Sequence, residues 1–193
     1  MIAELEKDLP KIIGPPRSER PHLVFTDGAC EDDGTSIGGV LYCPDGTVEC
    51  FGCVVPVAIA ESWKSRAEQL QVIGQAEIFP VLVARWTWEK YLKGKRVIYL
   101  IDNESARLSL VKCYSPVLAS LRLVLDCMEF DQSMASHPWY ARVPTHSNIA
   151  DDPSRMSVPK AFMKAGGVVV PPIFNTRWLK RENYKLGDLR TLI

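Results

Sequence analysis

The sequence predicts an α/β protein, a five-stranded mixed sheet flanked by helices. Two observations carry this reading. The front of the chain alternates apolar and polar residues in short runs rich in β-branched side chains, joined by turn residues. The middle holds a nearly continuous apolar run, KRVIYLID (95–102), set between segments of helical periodicity. At 193 residues the chain suits one domain with a core of ordinary size.

The elements follow in order. Residues 1–21 carry four prolines and mixed charge and read as a leader or linker. Strands are expected at about 22–30, 37–43 and 47–55. CPDGT (43–47) supplies a Pro-Asp-Gly turn between the second and third, so the front half is an antiparallel meander. VPVAIAESWKSRAEQLQ (55–71) reads as a short helix and then a loop. A long amphipathic helix is expected from about Gln75 to Leu92, with Pro80 tolerated in its first turn, where no intrahelical N–H bond is lost. The apolar run at 95–102 has the character of a strand covered on both faces. Helices are expected over Asn103–Lys112 and Ser115–Glu129, the second opened by a Ser-Pro cap. PWYARVP (138–144) reads as a last strand, and Asp151-Asp152-Pro153 as the start of a final helix. There is no internal repeat and no low-complexity tract.

Four acids stand out against this frame: Asp27 in HLVFTDGA, Glu77 in IGQAE, Asp102 in VIYLIDNES and Asp151 in NIADDPSR. Two follow apolar strands and two fall where helices begin. Half-buried carboxylates without Lys or Arg partners are costly, and one explanation covers all four: they converge on divalent metal. Hard oxygen ligands suit Mg²⁺ or Mn²⁺, and a pair of such ions cleaves phosphodiesters. The plainer reading of Glu77, Asp151 and Asp152 is helix N-terminal capping, since acids favour that end of the dipole.

Charge is balanced at 23 acids and 23 bases but unevenly placed. Residues 27–77 hold nine acids against two bases, and residues 156–193 hold seven bases against two acids. A metal centre at one end and a phosphate-facing surface elsewhere would produce that asymmetry, as would ordinary solvated faces. No apolar run is long enough to span a membrane, and no signal peptide is visible. The six cysteines sit mostly in apolar stretches, which suits reduced thiols in an intracellular protein, cytoplasmic or nuclear. Cys50 and Cys53 have the spacing of half a zinc site, but no second such pair exists.

The element order β-β-β-α-β-α-α-β-α, with acids on the first strand, first long helix, fourth strand and last helix, resembles the ribonuclease H fold over residues 22–165. The strings IGQAE, IDNES, the following YSP and VPTHSNIADDPSR are similar, in the same order, to the ribonuclease H domains of hepatitis B-type viral polymerases and DIRS-type retrotransposons. The resemblance implies strand order 3-2-1-4-5, and it leaves residues 166–193 as a C-terminal extension, partly basic by composition. It implies a two-metal ribonuclease that hydrolyses the RNA strand of an RNA–DNA hybrid, using two Mg²⁺ ions for which Mn²⁺ can substitute. By the same resemblance Asp27 bridges the ions, Glu77 and Asp102 complete the one nearer the leaving group, and Asp151 completes the one nearer the attacking water. Asp152 is left a supporting role. An adjacent reverse transcriptase domain is the implied partner.

Cys30, Gln75, Asn103 and Asn148 fall where the fold meets the minor groove, where neutral donors can read ribose 2′-hydroxyls; turn and cap chemistry explains them equally well. Cellular members of the family carry a mobile His about ten residues before the last Asp. Here His146 lies five before Asp151, so an auxiliary role competes with that of a plain loop residue. Relatives with a basic helix between the second and third long helices grip the hybrid through it, and VKCYSP leaves no room for one. Trp63–Arg66, Lys93, Lys95, Arg96 or the tail RWLKRENYK (177–185) could compensate. Trp86 and Trp88 read as packing residues. A catalytically silent scaffold of this fold, or another nuclease or transposase of the superfamily, is the alternative. All four acids are present, against the scaffold. No Asp-x-Glu stands on the first strand and no distant helical Glu is visible, against exonucleases and integrases.

Overall fold

The computed structural model describes residues 19–31, 34–64, 72–158, 160–164 and 166–175. β1 (His22–Glu31), β2 (Gly34–Tyr42) and β3 (Val48–Val54) form the expected antiparallel meander. The turn between β2 and β3 is closed by Cys43 and Thr47, with Asp45 Oδ1 accepting the Thr47 N–H at 2.9 Å. Helices α1 (Val57–Lys64), α2 (Ile73–Thr87) and α3 (Glu89–Leu92) lead to β4 (Arg96–Ile101). Then come α4 (Glu104–Lys112), α5 (Leu118–Ser133), β5 (His137–Arg142), α6 (Asp151–Ser154), α7 (Lys160–Lys164) and β6 (Val168–Val169). The sheet order is β5-β4-β1-β2-β3-β6. The expected 3-2-1-4-5 arrangement is therefore present, and the segment beyond residue 165 adds a two-residue sixth strand parallel to β3.

One sheet face packs on α2 and α5 to make the main core. Val24, Leu41 and Tyr99 from the sheet meet Phe79, Leu82, Val83, Leu123 and Val124, all at most 1 % exposed. Trp88 is sealed in this core against Phe51, its indole N–H donating to Glu49 at 3.0 Å. The opposite face is thinner. Val40 and Cys50 are covered by Ala150 and Phe162. On β4, Val97, Tyr99 and Ile101 are buried while Ile98 and Leu100 are only half-buried, so the described residues cover one face fully rather than both.

Three local expectations shift. The long helix starts at Ile73, so Glu77 is its fifth residue and Pro80 its eighth, inside the helix rather than in its first turn. Pro80 cannot donate to the Ala76 carbonyl, and that carbonyl packs directly against Gly28, where any Cβ would collide with it. The helix therefore sits close enough to β1 to bring Glu77 beside Asp27. The second shift is at α5, which begins at Leu118; Ser115 accepts the Val117 N–H at 3.3 Å instead of capping the helix. The third is at α6, a single turn whose N-cap is Ala150, with no capping side chain.

Arg85 is fully buried on α2. Its Nε and Nη2 reach the two Asp131 oxygens at 3.1 and 2.8 Å, and Nη1 reaches the Val81 carbonyl at 3.1 Å. Nη2 also donates to Tyr140 at 2.8 Å, and the guanidinium lies 4.2 Å from the Tyr99 ring centroid. Ser136 donates to Asp131 as well, at 2.9 Å. This network ties α2, which carries Glu77, to α5, β5 and β4, the strand that Asp102 follows.

Candidate metal centre

Asp27 lies in the middle of β1, one residue past the last β1–β4 pair, Thr26–Ile101, and Asp102 follows the last residue of β4, a parallel neighbour of β1. The two acids therefore stand at matching positions on neighbouring parallel segments, where β4 ends. Glu77 comes to them from α2. One oxygen from each of Asp27, Glu77 and Asp102 lies within 4.8 Å of the others, and among the described residues this is the one such convergence of His, Cys, Asp or Glu.

Asp27 is 5 % exposed and held from two sides. Asn148 Nδ2 lies 3.4 Å from Oδ1 and 3.1 Å from the Thr26 carbonyl, while Ser154 Oγ lies 2.6 Å from Oδ2. Ser154 Oγ is also 2.7 Å from the Asp151 carbonyl, so its single proton serves one acceptor at a time. Ser36 Oγ donates to the Ser154 carbonyl at 2.6 Å. Two strand glycines make this seat. Gly38 is paired with Asp27 on one side and with Gly52 on the other. A Cβ on Gly38 would meet the backbone of Ala150, Pro153 and Ser154, and one on Gly52 would meet Pro153. Bare backbone lets α6 rest on the sheet.

Burial and mutual repulsion shift the acids. Desolvation, with Asp102 and Asp151 nearby, raises the Asp27 carboxyl to about 6 against the pull of its Ser154 bond. Glu77 is raised to about 8 by desolvation and by Asp27 and Asp102, opposed by hydrogen bonds from the Asn103 side chain and the Gly28 backbone. Glu77 Oε2 and Asp102 Oδ1 are buried with no hydrogen-bond partner. Such orphaned oxygens are rare in proteins, and three acids in one place repel one another when ionised. A hard divalent cation would satisfy both oxygens and offset the repulsion, so the donor set fits Mg²⁺ or Mn²⁺. Capping does not explain Glu77, because the α2 N-cap is Val72 and Glu77 lies beyond the first turn.

The fourth acid is placed differently. Asp151 stands at the head of α6, close enough to raise the Asp27 carboxyl, but its Oδ1 is 3.2 Å from Arg155 Nε. Asp152 is exposed and caps nothing. Of the residues expected to face the hybrid, Gln75 and Asn148 are buried, at 3 % and 5 % exposure, and Asn148 is engaged in holding Asp27. Asn103 caps α4, its Oδ1 accepting the Ala106 N–H at 3.0 Å. Cys30 and His146 are exposed, the latter in a 3-10 turn at Thr145–Ser147. Ser154, Gly38 and Gly52 were not singled out from the sequence; the adjacency of Ser154 to the DDP string was the one available hint.

No family model and no curated protein matches the chain. Solved structures do. Ribonuclease H1 from the halophilic archaeon Halobacterium salinarum superposes with a TM-score of 0.56 at 16 % identity, over 72 % of this chain and 97 % of that one. The chain has the ribonuclease H fold. LC11 ribonuclease H1, isolated from compost by a metagenomic approach, gives 0.56 at 14 % identity over 74 % and 98 % of the two chains. The same LC11 enzyme in complex with an RNA/DNA hybrid gives 0.52 at 14 % identity over 73 % and 99 %. Among the expected sources of a basic grip, Trp63 is buried at 2 % exposure, Lys95 is half-buried and paired with Glu19 at 3.6 Å, and residues 177–185 lie outside the described residues. No helix among the described residues is long and apolar enough to cross a membrane.

Proposed function

We propose that this chain is a divalent-metal-dependent ribonuclease H that hydrolyses the RNA strand of RNA–DNA hybrids. The convergence of Asp27, Glu77 and Asp102 within 4.8 Å, with buried unpartnered oxygens on Glu77 and Asp102, carries the proposal. Asp27, Glu77 and Asp102 would hold one divalent ion, and Asp27 with Asp151 a second. When bound, such a pair supplies an activated water and neutralises the leaving oxygen of an in-line displacement. The chain's own part is to aim and prepare these ligands. Asn148 and Ser154 fix the two oxygens of Asp27. Glu77, protonated near neutral pH by its surroundings, gives up that proton as it becomes a ligand.

The order of IGQAE, IDNES, YSP and NIADDPSR supports an origin in a retroelement reverse transcriptase. So does the connection between α4 and α5, which spans only Cys113–Val117 and holds no basic helix. A neighbouring reverse transcriptase domain would then supply the missing grip on the hybrid backbone. Asn103, hydrogen-bonded to Glu77, is the better placed of the proposed 2′-hydroxyl readers, and Cys30 and His146 are exposed. The intracellular setting follows from that origin.

The test is parallel incubation of labelled RNA–DNA hybrid, double-stranded RNA and double-stranded DNA with Mg²⁺ or Mn²⁺. Cleavage of hybrid RNA to 5′-phosphate and 3′-hydroxyl ends is expected. Equal cutting of duplex DNA would move the chain to the transposase branch, and no cutting with either metal would favour a scaffold.

A further inference from the structure

Arg155 bridges two acids from distant parts of the chain. Its Nε lies 3.2 Å from Asp151 Oδ1 and its Nη1 2.9 Å from Glu31 Oε1. The Arg155 backbone is anchored, its N–H facing the Asp151 and Asp152 carbonyls at 3.2 and 3.1 Å, so the side chain can swing without moving α6. Arg155, Glu31 and Asp151 side chains keep 54 %, 57 % and 38 % exposure. Exposed pairs of this kind are weak and exchange readily with solvent ions, unlike the sealed Arg85–Asp131 pair.

We propose that Arg155 is a placeholder cation: it occupies Asp151 when no divalent ion is bound and yields the carboxylate when one arrives, staying tethered by Glu31. The inference rests on the metal-dependent reading above. It accounts for the one proposed site acid that is outside the Asp27–Glu77–Asp102 group and paired with a base. The guanidinium beside Asp151 satisfies the charge that a second metal would otherwise satisfy. It also leaves a cation at the rim, suited to a substrate phosphate once Asp151 has been released.

Exchange makes a prediction opposite in sign to a supporting role. Substrate-free protein is titrated calorimetrically with Mn²⁺ as wild type, Arg155→Ala, Asp151→Asn and the double variant. Arg155→Ala should bind Mn²⁺ about two- to fivefold more tightly than wild type, the range that an exposed ion pair implies. In the Asp151→Asn background, loss of Arg155 should change the affinity little. Unchanged or weaker binding by Arg155→Ala would overturn the proposal. Equal tightening with and without Asp151 would also overturn it, since that result means a general field and not exchange. Absence of Mn²⁺ binding by the wild type would instead defeat the underlying metal reading.

Discussion

Ser154 Oγ and Asp27 Oδ2 stand 2.6 Å apart, joining residues 127 positions apart in the chain. The bond favours the ionised carboxylate and opposes the rise that burial imposes on Asp27. Ser154→Ala should therefore push the Asp27 carboxyl above about 6. The lost bond, of the charged class, is worth roughly 1.5–3 kcal/mol at most, less whatever the Asp151 carbonyl already shares of that proton. Hybrid cleavage should fall more at neutral pH than at alkaline pH. A pH–rate profile checks this, and a loss uniform across pH would mean that Ser154 acts only on the placement of α6.

Asp27→Asn should abolish cleavage and leave the fold intact. Replacing one buried anion of the cluster relieves its repulsion with Asp102 and Asp151, so metal-free thermal stability should hold or rise. Thermal melts beside cleavage assays decide the matter. Metal-dependent cleavage by pure Asp27→Asn protein would sink the assignment.

The same shifts set the pH dependence of stability. Asp27 and Glu77 are raised to about 6 and about 8 in the folded chain. An unfolded chain releases these protons near pH 4. The folded state therefore holds more protons across that window, and the metal-free protein should lose stability as pH rises from about 4 through 8. Melting in the presence of a chelator should give a lower Tm at about pH 8.5 than at about pH 5. Added Mn²⁺ should reverse the trend, because ligation needs the deprotonated forms. A Tm that rises with pH in chelator would show that the acids are ionised without metal.

The Arg85–Asp131 pair should show the asymmetry of buried charges. Asp131→Ala leaves a guanidinium uncompensated at 0 % exposure and should cost about 3–5 kcal/mol. Arg85→Met, which removes the charge and keeps much of the volume, should cost less, although Asp131 retains only Ser136 among these partners. Denaturant unfolding of both variants measures the difference; equal losses would mean that packing around the Arg85 stem dominates.

Asp151 and Asp152 should separate cleanly. Asp151→Asn should remove nearly all cleavage, whereas Asp152→Asn, at an exposed position that caps nothing, should keep most of it. Neighbouring helical residues point about 100° apart, so only one can face the cluster. Reversed severities in the cleavage assay would assign the ligand role to Asp152.

Much of this was legible locally. Period-two runs and the CPDGT turn set the meander, and the strand runs of β1 and β4 placed Asp27 and Asp102, because strand patterning and turn chemistry act over a few residues. The start of α2 was not legible: Val72 has no capping side chain, and Pro80 sits inside the helix, where the Ala76 carbonyl that its missing N–H would have met packs against Gly28. Nor was the seat of Asp27. Asn148, Ser154, Gly38 and Gly52 matter through contacts that close only when α6 lands on the sheet, and nothing in the local pattern of NIADDPSR announces that landing. The sequence by itself determined which acids exist and which elements carry them. The tertiary structure decided that three converge while Asp151 turns to Arg155, because long-range packing and charge pairing, not local propensity, set where a side chain points.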